Sequence, residues 1–244
     1  MTAAGFWRNL SVLYVTGDFH GEMQRFHASV LRHLGADDEL IICGDFGFLW
    51  NGGESEQKDL KKIGKLKYKV LFLDGTHENF DLLNAYPVEE WNGGKVQHIS
   101  GGLYHLMRGQ VYELEGKTLF TFGGGESAEK QLRMKAGKWW ACELPNMEEM
   151  REGVSNLWKH KMQVDYIFTH EPPPNTGCGT LSACSGRKNQ LDAYFGQIMK
   201  QVRYQKWFFG SEHVDRKITY KHYAVFSDVI PVEDIPPKKH RFRK

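Results

Sequence analysis

No run in this chain approaches the roughly 20 consecutive apolar residues that cross a bilayer, so no membrane-spanning helix is expected. Cysteine is scarce, with Cys43, Cys142, Cys178 and Cys184 as the only four in 244 residues. That is too few for a disulfide framework, and Cys178 and Cys184 lie too far apart for a zinc knuckle. Met1 to Val15 lacks a basic segment followed by a long apolar core, so no signal peptide is read and a cytoplasmic location is expected. There is no internal repeat, no low-complexity block and no clear linker.

A basic face is also missing. The formal charge is +2, but Lys238-Lys239-His240-Arg241-Phe242-Arg243-Lys244 holds five basic residues and no acid. Without them 27 cations face 30 acids, so the body is slightly acidic. Residues 1–235 are read as a single domain and residues 236–244 as a basic tail, expected to be disordered. Such a tail suits a polyanion, but a solvated terminus is the plainer reading because nothing basic elsewhere supports it.

What the chain does have is a recurrent join. Five apolar runs stop at small clusters of metal-ligating side chains. Val12-Leu13-Tyr14-Val15 leads to Asp18 and His20. Leu40-Ile41-Ile42-Cys43 leads to Gly44-Asp45. Val70-Leu71-Phe72-Leu73 leads to Gly75-Thr76-His77-Glu78. Tyr166-Ile167-Phe168 leads to Thr169-His170, and Trp207-Phe208-Phe209 leads to Gly210-Ser211-Glu212-His213. Buried strands that deliver Asp and His to one rim place them where open α/β sheets hold their ligands.

Between these joins the pattern alternates. Met23, Phe26, Val30 and Leu34 recur at helical steps, which predicts a helix over 22–34; Leu60, Ile63 and Leu66 predict a surface helix over 54–66. A short helix follows over 79–85. The first third therefore reads β-α-β-α-β with parallel neighbours. Four short strand-like runs, 95–100, 103–107, 110–115 and 117–122, suggest a meander forming a second sheet, with a hairpin turn at Glu115-Gly116. Residues 127–161 read as helical, broken by Gly137 and Pro145, and a helix over 188–202 separates the last two long strands. Closing strands are read over 216–226.

Asp18 and His20 sit two apart, which in extended backbone aims both at one ion. A mixed Asp/His set suits zinc, manganese or iron, with room for magnesium. A carboxylate such as Asp45 can bridge two ions, which together stabilise both oxygens of a phosphoryl displacement. His27, His33, His98, His160 and His222 are read as ordinary polar residues. Gly116-Lys117-Thr118 lacks the upstream glycine of a phosphate loop. Gly123-Gly124-Gly125 is a candidate anion-binding nest, with a mobile loop an equal alternative.

In order, Gly17-Asp18-Phe19-His20-Gly21, Gly44-Asp45, Gly75-Thr76-His77-Glu78-Asn79, Thr169-His170 and Gly210-Ser211-Glu212-His213 resemble the motifs of the calcineurin-like metallophosphoesterases. The resemblance spans about residues 10–216. It implies an α/β fold of four layers, an αββα sandwich of two mixed β-sheets flanked by helices. It implies that Asp18, His20, Asp45 and His213 hold one metal, and that His170 belongs to a second, bridged by Asp45. His77 corresponds to the histidine that assists the leaving group, so His77 and Asp45 are the candidate catalytic residues.

Two departures fall together. Thr76 stands where the family has Asn, and Ser211 where it has the first His of its last motif. Hydroxyls are poor neutral ligands, so one strong metal site and one weak one are expected. Thr76, Ser211 and Arg108 are the candidates for a substrate or weak second-metal contact. The expected function is a metal-dependent phosphoesterase acting on a phosphorylated small molecule, nucleotide or nucleic acid, with Mn, Zn, Fe or Mg as cofactor. The alternative is an impaired metal- or phosphate-binding module of the same fold.

Overall fold

The computed structural model describes residues 11–176 and 189–234; the basic tail, Cys178 and Cys184 lie outside the described residues. The chain runs β1 (Leu13–Thr16), β2 (Glu39–Ile42), α1 (Glu54–Ile63), β3 (Lys69–Phe72), α2 (Phe80–Leu83), β4 (Val88–Trp91), β5 (Gly94–Ser100) and β6 (Leu103–Leu106). It continues through β7 (Gln110–Leu114), β8 (Lys117–Phe122), α3 (Lys130–Lys135), α4 (Met147–Lys159), β9 (Tyr166–Thr169), α5 (Gln190–Gln201), β10 (Lys206–Phe209), β11 (Arg216–Lys217), β12 (His222–Ala224) and β13 (Ile230–Pro231).

The strands form a seven-stranded sheet in the order β13-β1-β2-β3-β6-β5-β4 and a six-stranded sheet in the order β11-β12-β10-β9-β8-β7. Both are mixed. In the first, β1, β2, β3 and β6 are parallel neighbours with antiparallel strands at either side. In the second, β8, β9, β10 and β12 are parallel, flanked by antiparallel β7 and β11.

Side-chain alternation along the strands builds three apolar layers. Leu40, Ile42, Val70 and Phe72 point outward from the first sheet, onto Leu60 and Ile63 of α1 and Phe80 and Leu83 of α2. Their chain neighbours Ile41, Cys43, Leu71 and Leu73 point inward, against Leu119, Phe168 and Phe208 of the second sheet. Phe120, Phe122, Ile167, Trp207 and Phe209 face away on the far side, onto Met150 and Leu157 of α4 and Leu191, Phe195 and Ile198 of α5. Strands buried on both faces must be apolar throughout, which is why these runs show no polar alternation. The result is the four-layer αββα sandwich with two mixed sheets. No helix among the described residues is long and apolar enough to cross a membrane.

Two local expectations are corrected. The segment 22–34 is not one helix but two short 3-10 turns, Met23–His27 and Leu31–His33. Ala28 breaks it with φ −51° and ψ 140°, and Val30 is 38% exposed while Leu31 is buried. Arg25 is turned inward to donate to the carbonyls of Asp18 and Phe226, and the chain bends to let it. The meander is also split: β5 and β6 join the first sheet and only β7 and β8 the second. The chain crosses at Arg108-Gly109, where Gly109 adopts φ +72° hard against the backbone of Gly153 on α4. The Glu115-Gly116 hairpin turn is as expected, with φ +49° and +74° at its two central residues.

Candidate metal centre and active site

Parallel strands in one sheet all present their carboxyl ends at the same edge. Here the ends of β1, β2, β3, β9 and β10 meet across the two sheets, and the residues just beyond them are Asp18, Asp45, His77, His170 and His213. The cross-sheet seam is explicit: His170 Nδ1 lies 3.1 Å from the Cys43 carbonyl at the end of β2.

Three overlapping groups have ligand atoms close enough to share an ion: Asp18, His20 and His213; Asp18, Asp45 and His170; and His20, Asp45 and His77. The distances are short. His213 Nε2 lies 3.4 Å from Asp18 Oδ2, and the two Nε2 atoms of His20 and His213 are 3.1 Å apart. His170 lies 3.5 Å from both Asp18 Oδ1 and Asp45 Oδ1, through Nδ1 and Nε2 respectively. Asp18, Asp45 and His170 are buried, whereas the side chains of His20, His77 and His213 are 29%, 37% and 50% exposed. The site thus has a carboxylate floor and an imidazole mouth.

The backbone reaches this arrangement by strain rather than by extension. Asp18, His20, Asp45, Ser211 and His213 all have positive φ, from 28° to 57°, so the extended spacing expected at Asp18 and His20 is replaced by two left-handed residues. Left-handed non-glycine residues gather where function over-determines the fold. Gly44 has φ +94°, and a Cβ there would overlap the His170 ring. A Cβ at Gly75 would overlap the Asp45 carboxylate. These two glycines let the second and third joins close onto the ligands.

Whether a cation fits is tested by the buried charges themselves. Both carboxylate oxygens of Asp18 are buried with no hydrogen-bond partner. A buried carboxylate left that way is costly unless a cation pairs with it. The carbonyl of Cys43 can only accept, so Nδ1 of His170 carries a hydrogen and its Nε2 faces Asp45 Oδ1. Burial opposes a charge on His170, but Asp45 and then Asp18 override it and push its pKa well above the usual histidine range. A proton or a metal ion satisfies that arrangement, and divalent ions displace such protons. Ligand atoms at about 2.0–2.1 Å from one tetrahedral ion are roughly 3.3 Å apart, which matches the spacings here. The donor set fits a divalent cation.

Asp45 is the hub. Its Oδ1 accepts from the backbone N–H of Thr76 (2.6 Å) and His77 (2.8 Å), and its Oδ2 pairs with His77 Nδ1 at 2.7 Å. Burial would raise its pKa, but His170 and His77 together hold it well below the usual carboxylate range. The Thr76 hydroxyl sits 3.4 Å from Asp45 Oδ1 and 3.2 Å from His77 Nδ1, beside the cluster. Ser211 lies between Gly210 and His213 at the end of β10.

Arg108 is not brought to the rim. It is buried, with Nε and Nη2 on Asp74, Nη1 on Glu149 and Nη2 also on the carbonyls of Cys142 and Glu143. A phosphate contact is not available to it. His105, three residues earlier, is likewise spent between Gln97 and Asp74. The triple glycine is no nest either: Gly124 and Gly125 N–H donate to the carbonyls of Asp74 and Glu143, and Ser127 N–H to the Glu143 carboxylate.

Two further residues brace the site. Glu78 accepts from the N–H of Phe46 (2.6 Å) and Gly47 (3.3 Å), bracing the loop that carries Asp45. Burial, then the nearby Asp45 charge, raises its pKa well above the carboxylate range. Its signal was present as the acid after His77, but no spacing rule assigns it a structural role. Arg25 ties the carbonyl of Asp18 to that of Phe226, whose ring stacks on His213 at 4.8 Å. Nothing local in the sequence links residues 201 positions apart.

Two mixed sheets back to back, with Asp and His at their shared carboxyl ends, define the metallophosphoesterase architecture. The model of the calcineurin-like phosphoesterase family matches residues 12–226, and the chain belongs to that family. Among solved structures it is similar to a phosphopantetheinyl hydrolase from Mycobacterium tuberculosis (16% identity, 88% of this chain and 89% of that one, TM-score 0.42). It is also similar to a putative 5'-nucleotidase from Staphylococcus aureus (12% identity, 88% of this chain but 48% of that one, TM-score 0.48). A third is a protein of unknown function from Aquifex aeolicus (12% identity, 80% and 88%, TM-score 0.35). No curated protein matches the chain.

Proposed function

We propose that this protein is a metal-dependent phosphoesterase that hydrolyses a phosphomonoester or phosphodiester of a small molecule, nucleotide or nucleic acid. The observation that carries the reading is the pair of buried Asp18 oxygens that accept no hydrogen bond and lie 3.5 and 3.4 Å from the rings of His170 and His213. Asp18, His20, Asp45 and His213 would hold one ion, and His170 with Asp45 a second. Manganese, zinc, iron and magnesium all suit the donors. A divalent cation bound there supplies Lewis acidity and a nucleophile at neutral pH.

The chain's own part in the chemistry falls to His77. Its Nδ1 is engaged by Asp45 Oδ2, which fixes the ring and leaves Nε2 as the atom that meets the substrate. With a hydrogen on both ring nitrogens, Nδ1–H held by Asp45, it gives the Nε2 proton to the departing ester oxygen and is left as the neutral Nδ1–H imidazole. His20 and His213, half-exposed at the mouth, admit the phosphoryl group, while the buried floor keeps its charge from water. The scarcity of cysteine suits a reducing compartment, which favours the cytoplasm.

The second ion is held weakly in this reading, because Thr76 and Ser211 offer hydroxyls where the family offers an amide and an imidazole. The same two residues support a second reading, a binding module with little turnover. Elemental analysis under graded manganese or zinc separates the site models: one tightly held ion per chain is expected, and two would refute the weak site. Hydrolysis of bis(4-nitrophenyl) phosphate with each of the four metals separates enzyme from module. Activity that disappears in His77→Ala supports the enzyme; one bound ion with no turnover supports the module.

A further inference from the structure

Beside His77 stands a tryptophan that belongs to none of the three cores. The Trp50 ring centroid is 6.5 Å from that of His77, with planes 32° apart, so the indole continues the surface that the imidazole begins. Trp140 meets Trp50 edge-on at 5.9 Å and is itself anchored by its Nε1 on Asp81. Lys138 Nζ lies 5.7 Å over the Trp50 ring and 3.3 Å from Asn51 Oδ1. All three side chains are only partly buried.

This wall is held rigidly. Glu56, in the first turn of α1, accepts the N–H groups of Trp50, Asn51 and Gly52. Asn79 Nδ2 donates to the Trp50 carbonyl, and Asn79 follows His77 and Glu78 directly. The same short segment therefore carries the leaving-group histidine and fixes the backbone of the indole. The buried Arg133 guanidinium also lies 5.5 Å over the Trp50 ring, yet the indole stays partly open and outside the three cores. Its position is explained if something flat lies against it.

We propose that Trp50, backed by Trp140 and Lys138, is the subsite for the leaving group, and that the substrate's leaving group carries a flat aromatic ring such as a nucleobase. This rests on the reading of His77 as the residue that meets the departing ester oxygen. Whatever is attached to that oxygen meets Trp50 next. Stacking on an indole tolerates any base, because every base has a π-face. Lys138 adds a cation for a ligand that also carries negative charge.

In adenosine 5'-monophosphate and ribose 5-phosphate the departing oxygen is the same ribose 5'-oxygen, and the leaving groups differ in carrying adenine or a hydroxyl at C1; their methyl phosphodiesters extend the pair to diesters. Steady-state kinetics with manganese is expected to give a kcat/KM preference for the base-bearing ester. In Trp50→Leu that preference falls by about 10- to 100-fold, mostly through KM, and Trp50→Phe restores most of it. Lys138→Gln, a milder surface change, lowers it less. Thermal unfolding of each variant keeps a folding defect apart from a lost subsite. An equal preference ratio in wild type and folded Trp50→Leu overturns the proposal. If no ester is hydrolysed under any metal, the enzyme reading fails on its own. The subsite is then judged by equilibrium dialysis of adenosine 5'-monophosphate, where an affinity unchanged by Trp50→Leu overturns it and a loss of about tenfold or more upholds it.

Discussion

His77 Nδ1 lies 2.7 Å from Asp45 Oδ2, and the backbone N–H of His77 donates to the other oxygen of the same carboxylate. One side chain therefore sets both the orientation of the His77 ring and the path of its backbone. His77→Ala is expected to lower turnover by about 10²–10⁴-fold while the ion at Asp18, His20 and His213 stays bound. Kinetics paired with metal analysis of the same preparation checks it; loss of that ion together with activity would make His77 a ligand rather than an acid.

Restoring the two missing donors is the gain-of-function test. Thr76→Asn with Ser211→His is expected to tighten the second ion at least tenfold and to raise the rate. Both positions flank existing ligands, so each new side chain needs little backbone change. Isothermal titration with manganese reads the second site, and an unaltered binding curve would mean another group already fills it.

Arg25 is expected to act on the metal without touching it. It holds the carbonyl of Asp18, and its guanidinium lies against the rings of Phe19 and Phe226 at 4.5 and 5.1 Å. Arg25→Ala frees a residue already in left-handed backbone, and removal of such an outer partner costs about 10–100-fold in metal affinity. Competition with a metal-chelating dye measures it, and Arg25→Lys is expected to recover only part, because lysine cannot bridge two carbonyls with a planar fork.

Acid sensitivity is expected away from the site, at His222. Burial first, and then the Lys221 charge, lower its pKa from 6.5 to about 4. Its ring nitrogens are engaged by Tyr204 and Thr219. Between those values the unfolded chain takes up a proton that the folded one refuses. Stability is therefore full above about pH 6.5 and falls as pH drops toward 4, by on the order of 1–3 kcal/mol at this residue. Urea unfolding across that range tests it, and His222→Gln should flatten the slope.

The buried Asp74–Arg108 pair is expected to be a stability determinant alone. Burial would raise the Asp74 pKa, but Arg108 and His105 hold it below the usual range. Asp74→Ala leaves the Arg108 guanidinium buried beside only the partly exposed Glu149, at a cost of about 3–5 kcal/mol. Chemical denaturation gives the value, and a change under 1 kcal/mol would show that Glu149 and the carbonyls suffice.

The doubly buried strands and the residues after them were legible because apolar runs that end in Asp or His leave little choice of burial or direction. Legibility failed where tertiary contacts overruled local pattern. The 22–34 stripe looked helical, yet Arg25 reaches a carbonyl far along the chain and the turn opens to allow it. Arg108 is a rim candidate in the sequence with no motif behind it. Only the crossing between the sheets reveals that it points at Asp74. Trp50 gave no signal, since an aromatic in a glycine-rich loop is the same letter whether it packs or waits for a ligand.

The short strand β13 pairs with β1, and Thr16 Oγ1, Gly17 N–H and Arg25 all bond to the Phe226 carbonyl. The N-terminal ligands are thus sealed in place by almost the last described segment. During synthesis, Asp18 emerges early but cannot acquire its final surroundings until more than 200 further residues have left the ribosome. A nascent or prematurely ended chain would present a half-built first sheet without the assembled Asp and His cluster, so any cation taken up there would enter late.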